Sequence, residues 1–358
     1  MKIGILTHYN VSSHGALLQM YALKKTLAEQ GHDVVILTYS RNMDFIGAEQ
    51  RKRFSASISN IPYYISKYMG EDGFGSIIYQ YNKQKKLRHF RNANFSFVPY
   101  TDSAGLDCVI VGADEVFALE NGLNFMMFGH GIRSRKIIAY APSCGQTDPD
   151  RINGFGVREL ITSGLGRFSA LSARDMGTSA VIKDLTGKEV PIVCDPALLY
   201  PFKHPEKANN GKNYMVIYSY QSNFKDKERI NKIIAYARER GLELWSVGVY
   251  YKWCDKHINC DPIEMLDIFA KAEAVITDTF HGTISSYIAH TPMAVFVRDN
   301  NNVKLEHLLN TIGIADRKVS NPDMLDTILS GDIDFDLIDR TVDKVREKSM
   351  NYLLEALG

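Results

Sequence analysis

The chain opens by alternating short apolar runs with a stretch of helical spacing. Residues 3–7 form the first run, a polar loop follows through Ser13, His14 and Gly15, and Ala16, Met20, Leu23 and Leu27 then recur at the interval of one helix face. Gly31 stops that helix and residues 33–39 return as a buried strand, which predicts a right-handed parallel βαβ unit. Runs at 108–112, 136–140, 168–172 and 190–194 are further candidates for the same sheet. After Pro201, Pro205 and the polar run 208–213, which reads as an interdomain linker, the same grammar starts again. Residues 214–219, 243–248, 273–277 and 293–297 are predicted strands. Residues 225–240 are a predicted helix stopped by Gly241, and Asp261 followed by Pro262 opens another as N-cap and first position. Strands alternating with helices in two blocks predict an α/β protein of two Rossmann-like domains facing one another across a cleft. The expected division is 1–200 with a helical insertion at about 41–98, then 212–335, then a helix over 336–358 returning to the first domain.

The insertion is rich in Tyr, Phe, Lys and Arg and lacks strand alternation. Tyr79, Lys83, Leu87 and Phe90 share helical spacing, which predicts a helix that covers apolar surface while its lysines stay solvated. The competing expectation is a weak peripheral contact with an anionic membrane through Lys83, Lys85 and Lys86, each contributing about 1 kcal/mol near such a surface. Composition narrows the classes. With 45% hydrophobic and 23% charged residues over 358 positions, disorder is excluded as the main state, and a net charge of +1 gives no global field to recruit nucleic acid. The five cysteines are scattered, Cys254 and Cys260 are spaced for neither a redox pair nor a common zinc site, and residues 1–5 read as a strand start rather than a signal peptide. The expected compartment is therefore a reducing cytoplasm, at most at the inner face of its membrane. No apolar run reaches the roughly 20 residues of a membrane span, and no compact His, Cys and carboxylate spacing asks for a metal.

The run from Val275 to His290 carries the most chemistry. A strand breaks at Asp278 and restarts as a helix at about Gly282, and a loop at the carboxyl end of a parallel strand opens onto the cleft. A helix N-terminus there offers amide N–H groups to an anion, Gly282 permits close backbone approach, and His281 suits proton transfer. The motif Asp278, Thr279, Phe280, His281, Gly282, Thr283 resembles a signature of the polysaccharide pyruvyl transferase family, and five other matches keep the family's order. They are Gly4 to Met20 with Ser13, His14, Gly15 and Gln19; Val111 to Phe117 with Asp114 and Glu115; Ala139 to Gly145; Leu171 to Asp175 with Arg174; and Cys194, Asp195, Pro196, Ala197, Leu198.

That resemblance implies the glycosyltransferase-like two-domain architecture called GT-B. It also implies transfer of the pyruvyl group of phosphoenolpyruvate, as co-substrate and without a further cofactor, onto a sugar of a polysaccharide or glycolipid precursor, closing a ketal. Ketal formation needs protonation of the methylene carbon, attack by a sugar hydroxyl and displacement of phosphate by a second hydroxyl. For this the expected catalytic residues are His281 and Asp114. The expected donor clamp is Arg174, His281, Gly282, Thr283 and Gly15, with His14, Gln19, Glu115 and Asp278 binding or orienting the acceptor, and with no metal. The chain departs from the pattern at Thr279, where some members carry a basic residue, so that one anion clamp is either missing here or supplied by Arg298, and at Ser13, His14 and Glu115. Two other readings are a nucleotide-sugar glycosyltransferase using the same cleft and a noncatalytic carbohydrate-binding relative.

Overall fold

The computed structural model describes residues 1–42, 73–205, 213–221, 223–297 and 302–358. Arg298, most of the expected linker and residues 43–72 of the insertion lie outside the described residues.

The first sheet runs β3-β2-β1-β4-β5 and is wholly parallel. Its strands are β1 (Lys2–Leu6), β2 (Asp33–Thr38), β3 (Phe97–Pro99), β4 (Cys108–Val111) and β5 (Lys136–Ala139). Pairing of Ile3 with Val34 and Cys108, and of Ile5 with Ile36 and Ile110, buries one face, and Val35, Leu37, Val109 and Val111 bury the other. The second sheet is also parallel, in the order β11-β10-β9-β6-β7-β8. It comprises β6 (Tyr214–Tyr218), β7 (Glu243–Val247), β8 (Lys256–Ile258), β9 (Ala274–Thr277), β10 (Met293–Phe296) and β11 (Lys318–Val319). The fold is therefore α/β with two Rossmann-like domains. One hydrophobic cluster passes from Leu17 and Leu18 of α1 (His14–Glu29) to Met265, Leu266 and Phe269 of the second domain, so the domains share a core across the cleft.

Several details differ from the sequence pattern, and β8 and β11 are edge strands that it did not predict. Phe97–Pro99, at the edge of the expected helical insertion, is a strand paired with β2. The runs 168–172 and 190–194 contribute only the single bridges Ile138 to Ala170 and Ala173 to Ile192, in keeping with Pro191, which has no N–H for a ladder.

Helix α2 (Gly73–Asn94) buries Ser76, Tyr79, Leu87 and Phe90. Its inner face reaches the second domain: Tyr79 donates to the Ile258 carbonyl at 2.9 Å, Lys83 to the Gly248 carbonyl at 2.6 Å, and Lys86 pairs with Glu264 at 2.6 Å. Burial pushes Lys83 down to about 8. Two of the three lysines considered for a membrane contact thus hold the domains together. No helix among the described residues is long and apolar enough to cross a membrane.

The chain continues through α3 (Pro149–Gly154), α4 (Arg158–Leu165), α5 (Met176–Thr186) and α6 (Pro196–Leu199) to α7 (Lys227–Glu239) and α8 (Pro262–Ala270). It ends in α9 (Phe280–Ile288), α10 (Asn302–Thr311), α11 (Leu325–Ser330) and α12 (Phe335–Leu357). Helix α12 lies against the first domain. Tyr352 donates to the Ala139 carbonyl at 2.9 Å, Lys136 to the Leu357 carbonyl at 3.0 Å, and the Cys194 amide to Ser349 Oγ at 2.9 Å.

Candidate functional site

In each sheet the strand order reverses at one point, between β1 and β4 in the first and between β6 and β9 in the second. The carboxyl ends of strands at such a switch point leave a crevice for ligand. Here the two crevices face each other. His14, Gly15 and Asp114 follow β1 and β4, while Ser219, Asp278 and His281 follow β6 and β9.

Gly15 and His281 make the closest meeting. A Cβ on Gly15 would fall 2.3 Å from His281 Cγ, so only hydrogen at that position lets the first turn of α1 close on the imidazole. We expect Gly15→Ala to destabilise the closed arrangement by about 1–3 kcal/mol, the range for overpacking. Denaturant unfolding would measure it, and an unchanged midpoint would mean that the imidazole has room to withdraw.

On its other side, His281 Nε2 lies 3.5 Å from Oδ2 of Asp195, a fully buried carboxylate of the first domain. Asp195 is the N-cap of α6, where Oδ1 accepts from the Ala197 amide at 3.0 Å and Pro196 occupies the first helical position. The same Oδ2 accepts from Arg174 Nη1 at 3.0 Å. Burial works against a charged Asp195, but His281, Arg174 and the capped amide together hold its carboxyl at about 2. Arg174 also faces Asp114, with Nη2 to Oδ1 at 3.6 Å, and its guanidinium stacks 4.7 Å from the centroid of Phe280. For Asp114 too, burial is outweighed by Arg174, His281 and His8, and its carboxyl is held below the ordinary value. Asp114 has φ 73°, a left-handed conformation uncommon outside glycine, and is the partly exposed member of the group.

The remaining candidates take other places. Arg174 is no open anion clamp, because two carboxylates already occupy it and only 5% of its side chain is exposed. The helix after β9 starts two residues earlier than Gly282: Thr279 is its N-cap and its hydroxyl accepts from the Gly282 amide at 2.9 Å, so that N–H is taken. Gly282 is small for packing, since a Cβ would fall 2.1 Å from Thr277 Oγ1 and 2.8 Å from Tyr218 Cδ1. Thr283 is buried and donates to the Thr279 carbonyl at 3.0 Å, which removes it from the donor clamp. Asp278 is buried and accepts from Ser219 at 2.5 Å across the second switch point; Asp195, not Asp278, stands beside His281. His14 donates through Nε2 to the Cys260 carbonyl at 2.9 Å, and burial holds it down to about 3, so it is a neutral interdomain tie rather than a group facing an acceptor. Gln19 is buried in α1, and neither atom of its amide reaches solvent.

Glu115 pairs with Lys304 of α10, an ion pair between the domains at the mouth of the cleft. Lys304 was not singled out in the sequence because it sits in no motif. Asp195 stood in a recognised motif but carries a cap signature, Asp followed by Pro, which reads as structural. A cavity of about 310 Å³ adjoins this group, lined by Arg174, Asp195, Phe280, His307 and Lys348 among others. It draws on both domains and on α12, and its lining includes the cation Lys348.

A family model described as polysaccharide pyruvyl transferase matches residues 14–300. No match was found among curated proteins. Among solved structures, an alpha-glucosyltransferase in complex with UDP and a 13-mer DNA is 10% identical, with a TM-score of 0.49 over 99% of this chain and 95% of that one. UDP-GlcNAc 2-epimerase of Methanocaldococcus jannaschii is 12% identical, with a TM-score of 0.48 over 97% of this chain and 100% of that one. Identities this low say nothing of substrate.

Proposed function

The chain belongs to the polysaccharide pyruvyl transferase family, a family of transferases, and from that premise we propose that it moves the pyruvyl group of phosphoenolpyruvate onto two hydroxyls of a sugar, giving a cyclic ketal and inorganic phosphate. The observation that carries this reading is the convergence of Gly15, Asp114, Arg174, Asp195 and His281, from both domains, at facing switch points. Five residues from separate motifs have one place in common.

In this proposal His281 handles the proton. The buried Asp195 carboxylate faces the ring's Nε2 edge, as a carboxylate does for a catalytic imidazole, and the ring is proposed to deliver a proton to the methylene carbon. The carbon bearing phosphate then gains positive character and is attacked by the first sugar hydroxyl. Asp114, ionised and partly exposed beside Arg174, accepts the hydrogen bond that orients that hydroxyl. Departure of phosphate as the second hydroxyl closes the ring requires a cation in the cavity lining, for which Lys348 is proposed in place of Arg174. The acceptor is proposed to be a polysaccharide or glycolipid precursor presented in the cytoplasm.

The test is incubation with phosphoenolpyruvate and a set of lipid-linked and nucleotide-linked sugars, following phosphate and the mass of the sugar. Phosphate released in step with pyruvyl mass gain on the acceptor is the expected result. Release of a nucleoside diphosphate from a nucleotide sugar, with no use of phosphoenolpyruvate, would replace this reading with glycosyl transfer.

A further inference from the structure

Away from the cleft, beyond the opposite end of α9 from His281, three metal-ligating side chains far apart in sequence come together. His204 follows the first domain, His290 follows α9, and Asp339 lies near the start of α12; one ligand atom from each lies within 4.8 Å of the others. His290 Nε2 is 3.1 Å from Asp339 Oδ1, His204 Nε2 is 3.8 Å from Asp339 Oδ2, and the two imidazole centroids are 3.5 Å apart. His204 Nδ1 donates to the Ile288 carbonyl at 2.8 Å. Since a carbonyl only accepts, Nδ1 carries a proton, and Nε2 is the ring atom turned toward the Asp339 carboxylate. An imidazole nitrogen and a carboxylate oxygen so placed can both ligate one cation. At 3.8 Å a shared proton makes no hydrogen bond, whereas an ion with bonds of about 2.0–2.2 Å to nitrogen and oxygen spans such a gap.

The surroundings match those of a ligated ion. The backbone carbonyl on His204 Nδ1–H is the usual outer partner of a metal-bound imidazole. Tyr287 donates to Asp339 Oδ1 at 3.0 Å, and Phe335 stacks on His290 with centroids 4.6 Å apart. A cavity of about 150 Å³, lined by Tyr200, Phe202, His204, Tyr287, Asp339 and Arg346 among others, adjoins the group and leaves room for water as a fourth ligand.

We propose that His204, His290 and Asp339 bind one divalent transition-metal ion, with Zn²⁺ the best match to two imidazoles, a carboxylate and a water. The ion staples the segment leaving the first domain to the end of α9 and to α12. It holds the far end of the helix whose first turn carries His281, and the site stands independently of the reaction proposed for the cleft.

The test uses the full chain, stripped with a chelator and titrated with Zn²⁺ by calorimetry and with Co²⁺ by visible absorption. One ion per chain is expected, with a rise in the thermal midpoint and cobalt bands free of thiolate charge transfer. His204→Gln and Asp339→Asn should each weaken binding at least about tenfold, while Cys254→Ser leaves it unchanged. Circular dichroism checks that each variant folds, and the wild-type cobalt spectrum stands alone should one fail. Absence of Zn²⁺ uptake, equal affinity in folded His204→Gln and wild type, or a thiolate band would each overturn the proposal.

Discussion

Arg174→Ala is expected to destabilise the protein by about 3–5 kcal/mol, the range for removing one partner of a buried ion pair. The guanidinium is the common partner of Asp195 at 3.0 Å and Asp114 at 3.6 Å, and Asp195 has no solvent to replace it. Arg174→Lys should recover only part of the loss, since an ammonium neither spans two carboxylates in a plane nor stacks on Phe280 as a guanidinium does. Urea unfolding measures this directly. A loss within about 1 kcal/mol, the scale of a surface pair, accompanied by weaker phosphoenolpyruvate binding would restore Arg174 to the role of an open donor clamp. The same pairing sets the acid limit of the fold. Asp195 and Asp114 have native values below the ordinary carboxyl value, so their stabilisation is fully present above about pH 4 and is lost as pH falls through the native value, about 2 for Asp195. In Arg174→Ala that acid transition should begin at higher pH, and tryptophan fluorescence during an acid titration would report it.

His281→Ala is expected to lower turnover by about 10²–10⁴-fold, the usual contribution of a positioned general acid or base, with the fold retained. The ring touches Gly15, lies 3.5 Å from Asp195, and is the single imidazole of the convergent group. Asp195→Asn should lower turnover in the same direction while adding the destabilisation of a half-vacated Arg174. Steady-state rates with phosphoenolpyruvate and a responsive acceptor separate these effects from the thermal midpoint. Unchanged turnover in His281→Ala would remove the imidazole from the chemistry.

The βαβ grammar was legible in the sequence because parallel strands buried on both faces must be short continuous runs such as Val109, Ile110 and Val111, separated by helices with their own stop signals. Helix starts were legible wherever the cap is local: Asp261 with Pro262 and Glu264 forms a capping box within four residues. Thr279 shows the limit. It reads as the position of a missing cation, yet its hydroxyl caps a helix, a role decided by where β9 ends.

Patterns of a few residues thus determined most of the central strands and the helices that start and stop on local signals, because hydrophobic period, caps and turns act over short stretches of chain. Tertiary structure alone decided the partners: Asp195 between Arg174 and His281, Lys304 on Glu115, Lys83 under Gly248, and His204 with His290 and Asp339. Those pairs are separated by between 21 and 189 residues where hydrogen bonds record them. Contacts over such separations form only when distant segments, and for most of these pairs the two domains or the returning helix, pack together, and no local period encodes how they meet.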